Sequence, residues 1–387
     1  MKINKAYKFR LYPNNEQIIL INKTIGSARF IYNYCLNKKI ELYQNTGKTL
    51  SCYDCIKDIR NLYDEYPWLK EIDSCSLRCA LFDLDNAYTK FFREKKGFPR
   101  FKSKHNEKET YRTNYITSEY KGNVYGNIKI NLETNTIKLP KLKEVSIKGY
   151  RNLNKLEGRI INATVSKESD RYYVSVIVEQ EITEEKVKPT SIVGIDLGIK
   201  NQLITSNGET YENNKVTEKY ASRLIKLQRR LSKKARGSNN YNKAKQKIST
   251  LYRKIRNTRK HIVHQITSKL TETNDIIISE DLNIKHMIQE TNFSKSIVDV
   301  TWGEIIRQLD YKAKWKGKYY LKINRYYESS QICSRCGYKN VETKNLNLRS
   351  WECIECGIKH DRDINAAENI LFEGICKYGK EVLGKLI

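Results

Sequence analysis

The chain has 387 residues, enough for two or three domains with sizeable cores. Lysine and arginine total 72 against 44 acidic residues, a formal net charge of +28 that asks for a polyanionic partner, nucleic acid first. No apolar run reaches the roughly 18 residues of a membrane span, and the opening MKINKAYKFRLYP has no apolar signal core. The expectation is therefore an intracellular protein without a membrane partner, whose cysteines are thiols or metal ligands rather than disulfides.

Residues 2–12 alternate Tyr7, Phe9 and Leu11 with basic residues and are expected to be extended. Pro13 and Asn14 end that strand and open a helix with Ile21, Ile25, Ala28, Tyr32 and Cys35 on one face. A second helix is expected over about 73–95, with Leu77, Leu81, Leu84, Tyr88 and Phe91 on its stripe. It runs into GFPRFKSK, a basic-aromatic turn that offers Arg100 and Lys102 as nucleic-acid contacts. From about 110 to 180 the period changes to two: NIKINLE, TIKLPKL, RIINATVSKE and RYYVSVIVEQ are strand-like segments between turns. They suggest a small antiparallel barrel, with the first strand a candidate for completing it. The charged stretch EITEEKVKPT (181–190) is expected to be a linker, with a new domain from Ser191.

In that domain SIVGIDLG is a buried strand, and QLITSNGE a second strand running into an Asn-Gly turn. A long helical pair follows. Its first helix carries Leu224, Leu227 and Leu231, and its second Ala244, Ile248, Leu251, Ile255, Ile262, Ile266 and Leu270, with the break at GSNNYN (237–242). Its outer faces carry Arg223, Lys226, Arg229, Arg230, Lys233, Lys234, Arg236, Lys243, Lys245, Lys247, Arg253, Lys254, Arg256, Arg259 and Lys260. No acid interleaves between Arg223 and Lys260, so i,i+4 pairing cannot neutralise the run, and a nucleic-acid-facing surface is favoured over a solvated hairpin. His261 and His264 on the same helix read as packing or phosphate-contacting residues.

Three acids stand at the edges of expected core elements. Asp196 lies in IVGIDLG, Glu280 ends the apolar DIIISE, and Asp363 opens a helix with Ala366, Ala367 and Ile370 inward. Three such carboxylates are what an RNase H-like nuclease uses to hold Mg²⁺, with two ions roughly 4 Å apart serving an in-line phosphodiester displacement. Asp281 beside Glu280, and Asp361 two residues before Asp363, are competing choices; Asp361 also suits a helix cap.

Cys333-x2-Cys336 and Cys353-x2-Cys356, sixteen residues apart and each pair followed by glycine, fit a four-thiolate structural zinc ribbon. His360 is a spare ligand beside it. Cys52, Cys55, Cys75 and Cys79 form a second conceivable quartet but lack glycine knuckles, and core thiols are the favoured reading.

Taken together, KAYKFRLYPNNEQ, GFPRFK, VGIDLGIK, the basic helical pair, ISEDLN, SSQICSRCG, WECIECG and HDRDINAAENI resemble the TnpB family over nearly the whole chain. Those proteins are transposon-encoded RNA-guided DNA nucleases related to type V CRISPR effectors. The resemblance implies a multidomain α+β and α/β fold. A WED-like β-barrel (1–15 and 105–185) would hold an inserted helical REC domain (16–104). An RNase H-like RuvC domain (191–332 and 358–387) would follow, interrupted by the zinc ribbon (333–357), which binds target nucleic acid. It further implies Asp196, Glu280 and Asp363 as the catalytic acids, a guide RNA from the transposon end, and double-stranded target DNA cut beside a short motif. The expected location is the prokaryotic cytoplasm, at the nucleoid, with one protomer per RNA as an open question. The competing readings are a guided DNA-binding repressor without cleavage and a transposase or transposase-accessory DNA-binding protein.

Overall fold

The structure, a computed structural model, describes residues 2–104, 109–120, 123–149, 156–182, 187–290, 294–345 and 347–379. The segment 183–186 of the expected linker and the tail after 379 lie outside these residues. The chain divides into two compact units, Met1–Ile182 and Thr183–Ile387. Among the described residues no helix is long and apolar enough to cross a membrane.

The first unit opens with strand β1 (Lys2–Tyr12) and helices α1 (Asn15–Thr46), α2 (Cys52–Glu65) and α3 (Ser74–Glu94). Asn14 and Gln17 form a reciprocal capping box at the start of α1, and Gly47 ends it in the left-handed conformation. Strands β2 (Glu109–Asn114), β3 (Thr117–Tyr120), β4 (Asn123–Gly126), β5 (Lys129–Asn131), β6 (Thr136–Leu139), β7 (Lys143–Lys148), β8 (Arg159–Glu168) and β9 (Arg171–Glu181) follow. Seven of the strands form one antiparallel sheet in the order β2-β8-β9-β1-β7-β6-β5. The first strand is thus the middle of the sheet, paired with β9 from Lys2↔Glu181 to Leu11↔Tyr172, rather than its closing stave. β2 and β5 are the edges of this sheet. Alternate residues Tyr172, Val174, Val176 and Val178 are buried in one core with Ile21, Ile25, Ala28, Tyr32 and Cys35 of α1 and Leu77, Leu81 and Leu84 of α3.

The second unit has strands β10 (Ile192–Asp196), β11 (Asn201–Thr205) and β12 (Thr210–Glu212), then helices α4 (Val216–Ser232) and α5 (Asn239–Thr273). Strand β13 (Ile276–Glu280), helices α6 (Ile284–Glu290), α7 (Ser294–Val300) and α8 (Trp302–Trp315), and strand β14 (Tyr319–Ile323) follow. The short hairpin β15 (Ser350–Glu352) and β16 (Lys359–Asp361) precedes helix α9 (Arg362–Tyr378). Five strands pair in the order β12-β11-β10-β13-β14, with β10, β13 and β14 mutually parallel and β11 and β12 antiparallel to their neighbours. The sheet is covered on both faces, which is why β10 and β13 are largely apolar up to the acids that end them. On one face Val193, Ile195 and Ile277 meet Val263, Ile266 and Leu270 of α5 and Ile305 and Leu309 of α8. On the other, Ile276 and Ile278 meet Ile370 and Leu371 of α9.

Candidate active site

Ile195 of β10 stands beside Ser279 of β13 in parallel register. One residue further on, Asp196 and Glu280 therefore end adjacent strands at the same edge, the carboxyl end where open α/β sheets bind ligands. Helix α9 brings the third acid. A β-carbon on Gly374 would sit 2.3 Å from Ile278 Cδ1, so α9 runs hard against the sheet, and Asp363 lies in its first turn.

The electrostatics register this convergence. Burial pushes the Asp196 carboxyl up to about 8, with the Glu280 and Asp363 carboxylates adding to it; the Leu197 N–H and Arg362 oppose the shift. Asp196 keeps some solvent contact although protein encloses it at longer range. Burial likewise raises Glu280, against a hydrogen bond from Ser329. Neither Asp196 nor Glu280 has an ion pair among the described residues, while Arg349 approaches Asp363 at 3.5 Å. Under-neutralised carboxylates with an all-oxygen donor set could hold a hard divalent ion here. They do not close to within 4.8 Å of one another.

The neighbouring acids have other partners. Asp281 is bonded by Lys322 (3.1 Å) and Arg325 (2.7 Å), which hold its carboxyl below the usual range. Asp361 is exposed and caps α9, accepting from the backbone of Asp363 and Ile364 at 3.0 Å each.

The four ribbon thiols do come together: Cys333, Cys336, Cys353 and Cys356 have sulfurs within 4.8 Å of one another. Cys333–Cys356 is 3.7 Å and Cys336–Cys353 3.5 Å, near the ~3.8 Å edge of a tetrahedron with zinc–sulfur bonds of about 2.3 Å. Each half is the same knuckle. Cys333 N–H donates to Tyr338 O and Gly337 N–H to Cys333 O; Cys353 and Gly357 repeat the pattern with Ile358 O and Cys353 O. Gly337 (φ 80°) and Gly357 (φ 69°) supply the left-handed turn each knuckle needs. The residues fit structural zinc. His360 Nε2 lies 3.0 Å from Cys333 Sγ and its ring is against Trp351, as an orienting neighbour of the thiolates. Cys52, Cys55, Cys75 and Cys79 are all buried in the first unit and do not gather as a ligand group.

The basic hairpin is outward-facing over much of its length. Arg223, Lys226, Arg229, Arg230, Lys233 and Lys234 are exposed and carry no ion pair among the described residues. Arg223, Lys226, Arg230, Lys243 and Lys247 line a groove of about 630 Å³ between α4 and α5. Two expected surface cations are not on that surface. Arg253 is 6% exposed, and Arg259 is tucked into an ion pair with Asp299 that also takes in Thr217. The partner acid lies forty residues downstream of Arg259, so local charge counting could not find it. His264 is a packing residue: burial, then the Lys312 charge, lower it to about 4, which keeps it neutral. In the first unit Arg100 is exposed, while the Lys102 ammonium sits 4.0 Å over the Tyr32 ring and its backbone is gripped by Asn33.

Sequence reasoning missed two polar groups that assemble the site's frame. Asp275 accepts from Thr190 N–H and Oγ1 at 3.0 Å and from Ser191 Oγ at 3.2 Å, and pairs with Lys318 at 3.1 Å, joining the starts of β10, β13 and β14. Ser329 donates to Glu280. Neither has a local signal, since each partner is at least 43 residues away.

A family model described as "Probable transposase" matches residues 175–291, one described as "Cas12f1-like, TNB domain" matches 302–370, and a "Helix-turn-helix domain" model matches 1–48. The last stretch is here one strand and the 32-residue helix α1. A Streptomyces pristinaespiralis protein named "Putative RNA-guided DNA endonuclease" is 31% identical over 378 residues, 97% of this chain and 90% of its own. An Escherichia coli K12 protein named "Putative RNA-guided DNA endonuclease InsQ" is 31% identical over 392 residues, 97% of this chain and 93% of its own. Among solved structures, the protein of a "Cas12f1-sgRNA-target DNA complex" has a TM-score of 0.58 at 15% identity, over 95% of this chain and 98% of that one. That last likeness is one of fold.

Proposed function

Since the chain belongs to the TnpB family, we propose that it is an RNA-guided, metal-dependent DNA endonuclease whose single site is built from Asp196, Glu280 and Asp363. The observation that carries the reading is geometric: Asp196 and Glu280 end adjacent parallel strands at the same sheet edge, and Asp363 opens the helix packed on that sheet. The sheet supports an RNase H-like, RuvC-type domain: a central β10 with two antiparallel strands on one side and two parallel strands on the other. Residues 191–332 and 358–387 would form it, with the ribbon 333–357 as the insert that engages target nucleic acid. Residues 1–15 and 105–185 would be the WED-like part around a helical REC domain at 16–104.

In the reaction, pairing with a guide RNA from the transposon end selects the DNA, and the protein reads backbone shape and a short adjacent motif. Mg²⁺, when bound, supplies an activated water and stabilises the leaving oxygen. Asp196 and Glu280 present carboxylates from the rigid ends of two strands, and Asp363 adds one from a helix start. Ser329 fixes the direction of Glu280. The α4/α5 groove offers five cations to phosphates without competing acids. A repressor reading would leave the three gathered acids without a use. The working place is the nucleoid.

The test is cleavage of a guide-matched plasmid by protein purified with its RNA. Cutting is expected with Mg²⁺ and lost with EDTA. Asp196→Ala and Glu280→Ala should be inactive yet keep their RNA. Guide-matched binding without cutting by the wild type would leave the repressor reading instead.

A further inference from the structure

The lead-in to the ribbon is tied to both elements that carry downstream acids. Asn365 and Asn369 of α9 are 1% and 3% exposed. Asn369 Nδ2 donates to the carbonyls of Ser329 (2.8 Å) and Ile332 (2.6 Å), using both hydrogens of its amide. Asn365 Nδ2 donates to Ile332 O at 2.7 Å, and its Oδ1 accepts from Ser334 N–H at 2.9 Å. Residues 329–334 are thus laced to one face of α9, next to the zinc thiolate Cys333. From this laced segment the Ser329 hydroxyl, itself 5% exposed, donates to Glu280 Oε1 at 2.5 Å. It is the one hydrogen bond to the Glu280 side chain among the described residues.

A glutamate at a strand end has three side-chain torsions to settle, and a cation site tolerates little scatter in its ligands. A charge-assisted bond from a buried hydroxyl on a rigid segment removes that freedom and commits Oε1, leaving Oε2 for a cation. We propose that Ser329 is a positioning residue for Glu280, held in place by Asn369, so that the segment leading into the ribbon braces the acidic site. This rests on the reading of the acids as a divalent-metal site.

The experiment uses full-length protein with its bound RNA, and Mn²⁺ as a spectroscopic substitute for Mg²⁺. Mn²⁺ binding is followed by electron paramagnetic resonance beside plasmid cleavage, zinc content and melting temperature. Ser329→Ala should weaken Mn²⁺ binding about tenfold or more and raise the Mg²⁺ needed for half-maximal cutting. Zinc should stay at one equivalent, and melting should stay near wild type. Ser329→Thr, which keeps the hydroxyl, should restore most of the affinity. Asn369→Ala should act in the same direction as Ser329→Ala. Unchanged Mn²⁺ affinity in Ser329→Ala overturns the proposal, and so does Ser329→Thr behaving like alanine. A wild type that neither binds Mn²⁺ nor cuts refutes the nuclease reading instead.

Discussion

Gly194 of β10 and Ala367 of α9 meet backbone to backbone: a β-carbon on Gly194 would lie 2.2 Å from the Ala367 carbonyl oxygen and 2.8 Å from Leu371 Cβ. Asp196 is two residues beyond that contact and Asp363 one helical turn before it. The glycine therefore sets how near the two acids come. Gly194→Ala should lift α9 off the sheet, costing about 3 kcal/mol, and cleavage should fall even where the variant is still folded. Gly303→Ala, where the nearest atom is 3.9 Å away, should stay within about 0.5 kcal/mol of wild type or gain slightly. Equal melting temperatures for the two variants would contradict this.

Asp361 and Asp363 should separate cleanly. Asp361→Ala removes the cap of α9 and should cost about 1 kcal/mol of stability while cutting persists. Asp363→Ala should abolish cutting with RNA retained. Melting curves and plasmid cleavage on the same preparations distinguish them, and full cutting by Asp363→Ala would remove it from the site.

Zinc should be present at one equivalent. Cys336→Ser or Cys353→Ser should release it and lower the melting temperature, because binding by four thiolates is folding free energy. Elemental analysis of the pure wild type decides the matter: no zinc would end the ribbon reading.

Removing the charges of Arg229, Arg230, Lys233 and Lys234 together should weaken RNA or heteroduplex binding across sequences. The log–log salt slope should flatten by about 1 for each phosphate that is no longer neutralised, with the accepted target motif unchanged. An unchanged affinity and slope would reduce α4 to a solvated face.

Asp275 gives the fold an acid-sensitive clamp. Burial works to raise its carboxyl, but the Thr190 N–H, Lys318 and the Thr190 hydroxyl outweigh it and hold it at about 2. Its folded value lies below the unfolded ~3.9, so its stabilisation is complete above that value and is lost as pH falls through about 2. Asp275→Asn should therefore cost roughly 2–3 kcal/mol at pH 7, and the gap to wild type should narrow below about pH 4 in denaturant titrations. A gap independent of pH would mean that packing, not charge, is at work there.

What the sequence makes legible is what is local. The face Ile21, Ile25, Ala28, Tyr32 and Cys35 repeats at helical spacing and is buried as expected. The alternation in RYYVSVIVEQ and the paired Cys-x2-Cys-Gly knuckles are equally local signals. Asp196 and Glu280 stand out because a carboxylate closing a run rich in isoleucine and valine has to have a reason. Pairing choices are not local. The central place of β1 depends on residues about 170 positions away, from Lys2 against Glu181, and nothing in KINKAYKFRLY specifies that partner. The ion pair of Arg259 with Asp299 and the bond from Ser329 to Glu280 likewise exist only once the chain has closed. That Asp281, the neighbour of Glu280, is paired with Lys322 and Arg325, contributed by β14 and the residues after it, is likewise not local.

Helix α5 is a lever arm. Its 35 residues span about 52 Å, and it is rooted in the sheet by Val263, Ile266 and Leu270 near one end. From Ile262 back to Asn239 the rod extends about 35 Å beyond that root, with α4 packed along it through Leu251 and Ile255. A tilt of roughly 5° at the root moves the far end by about 3 Å, close to the 3.4 Å rise of one nucleotide along a strand. A repacking beside Ile277, three residues from Glu280, that tilted the helix by this much would displace the exposed cations at the far end by about one nucleotide step.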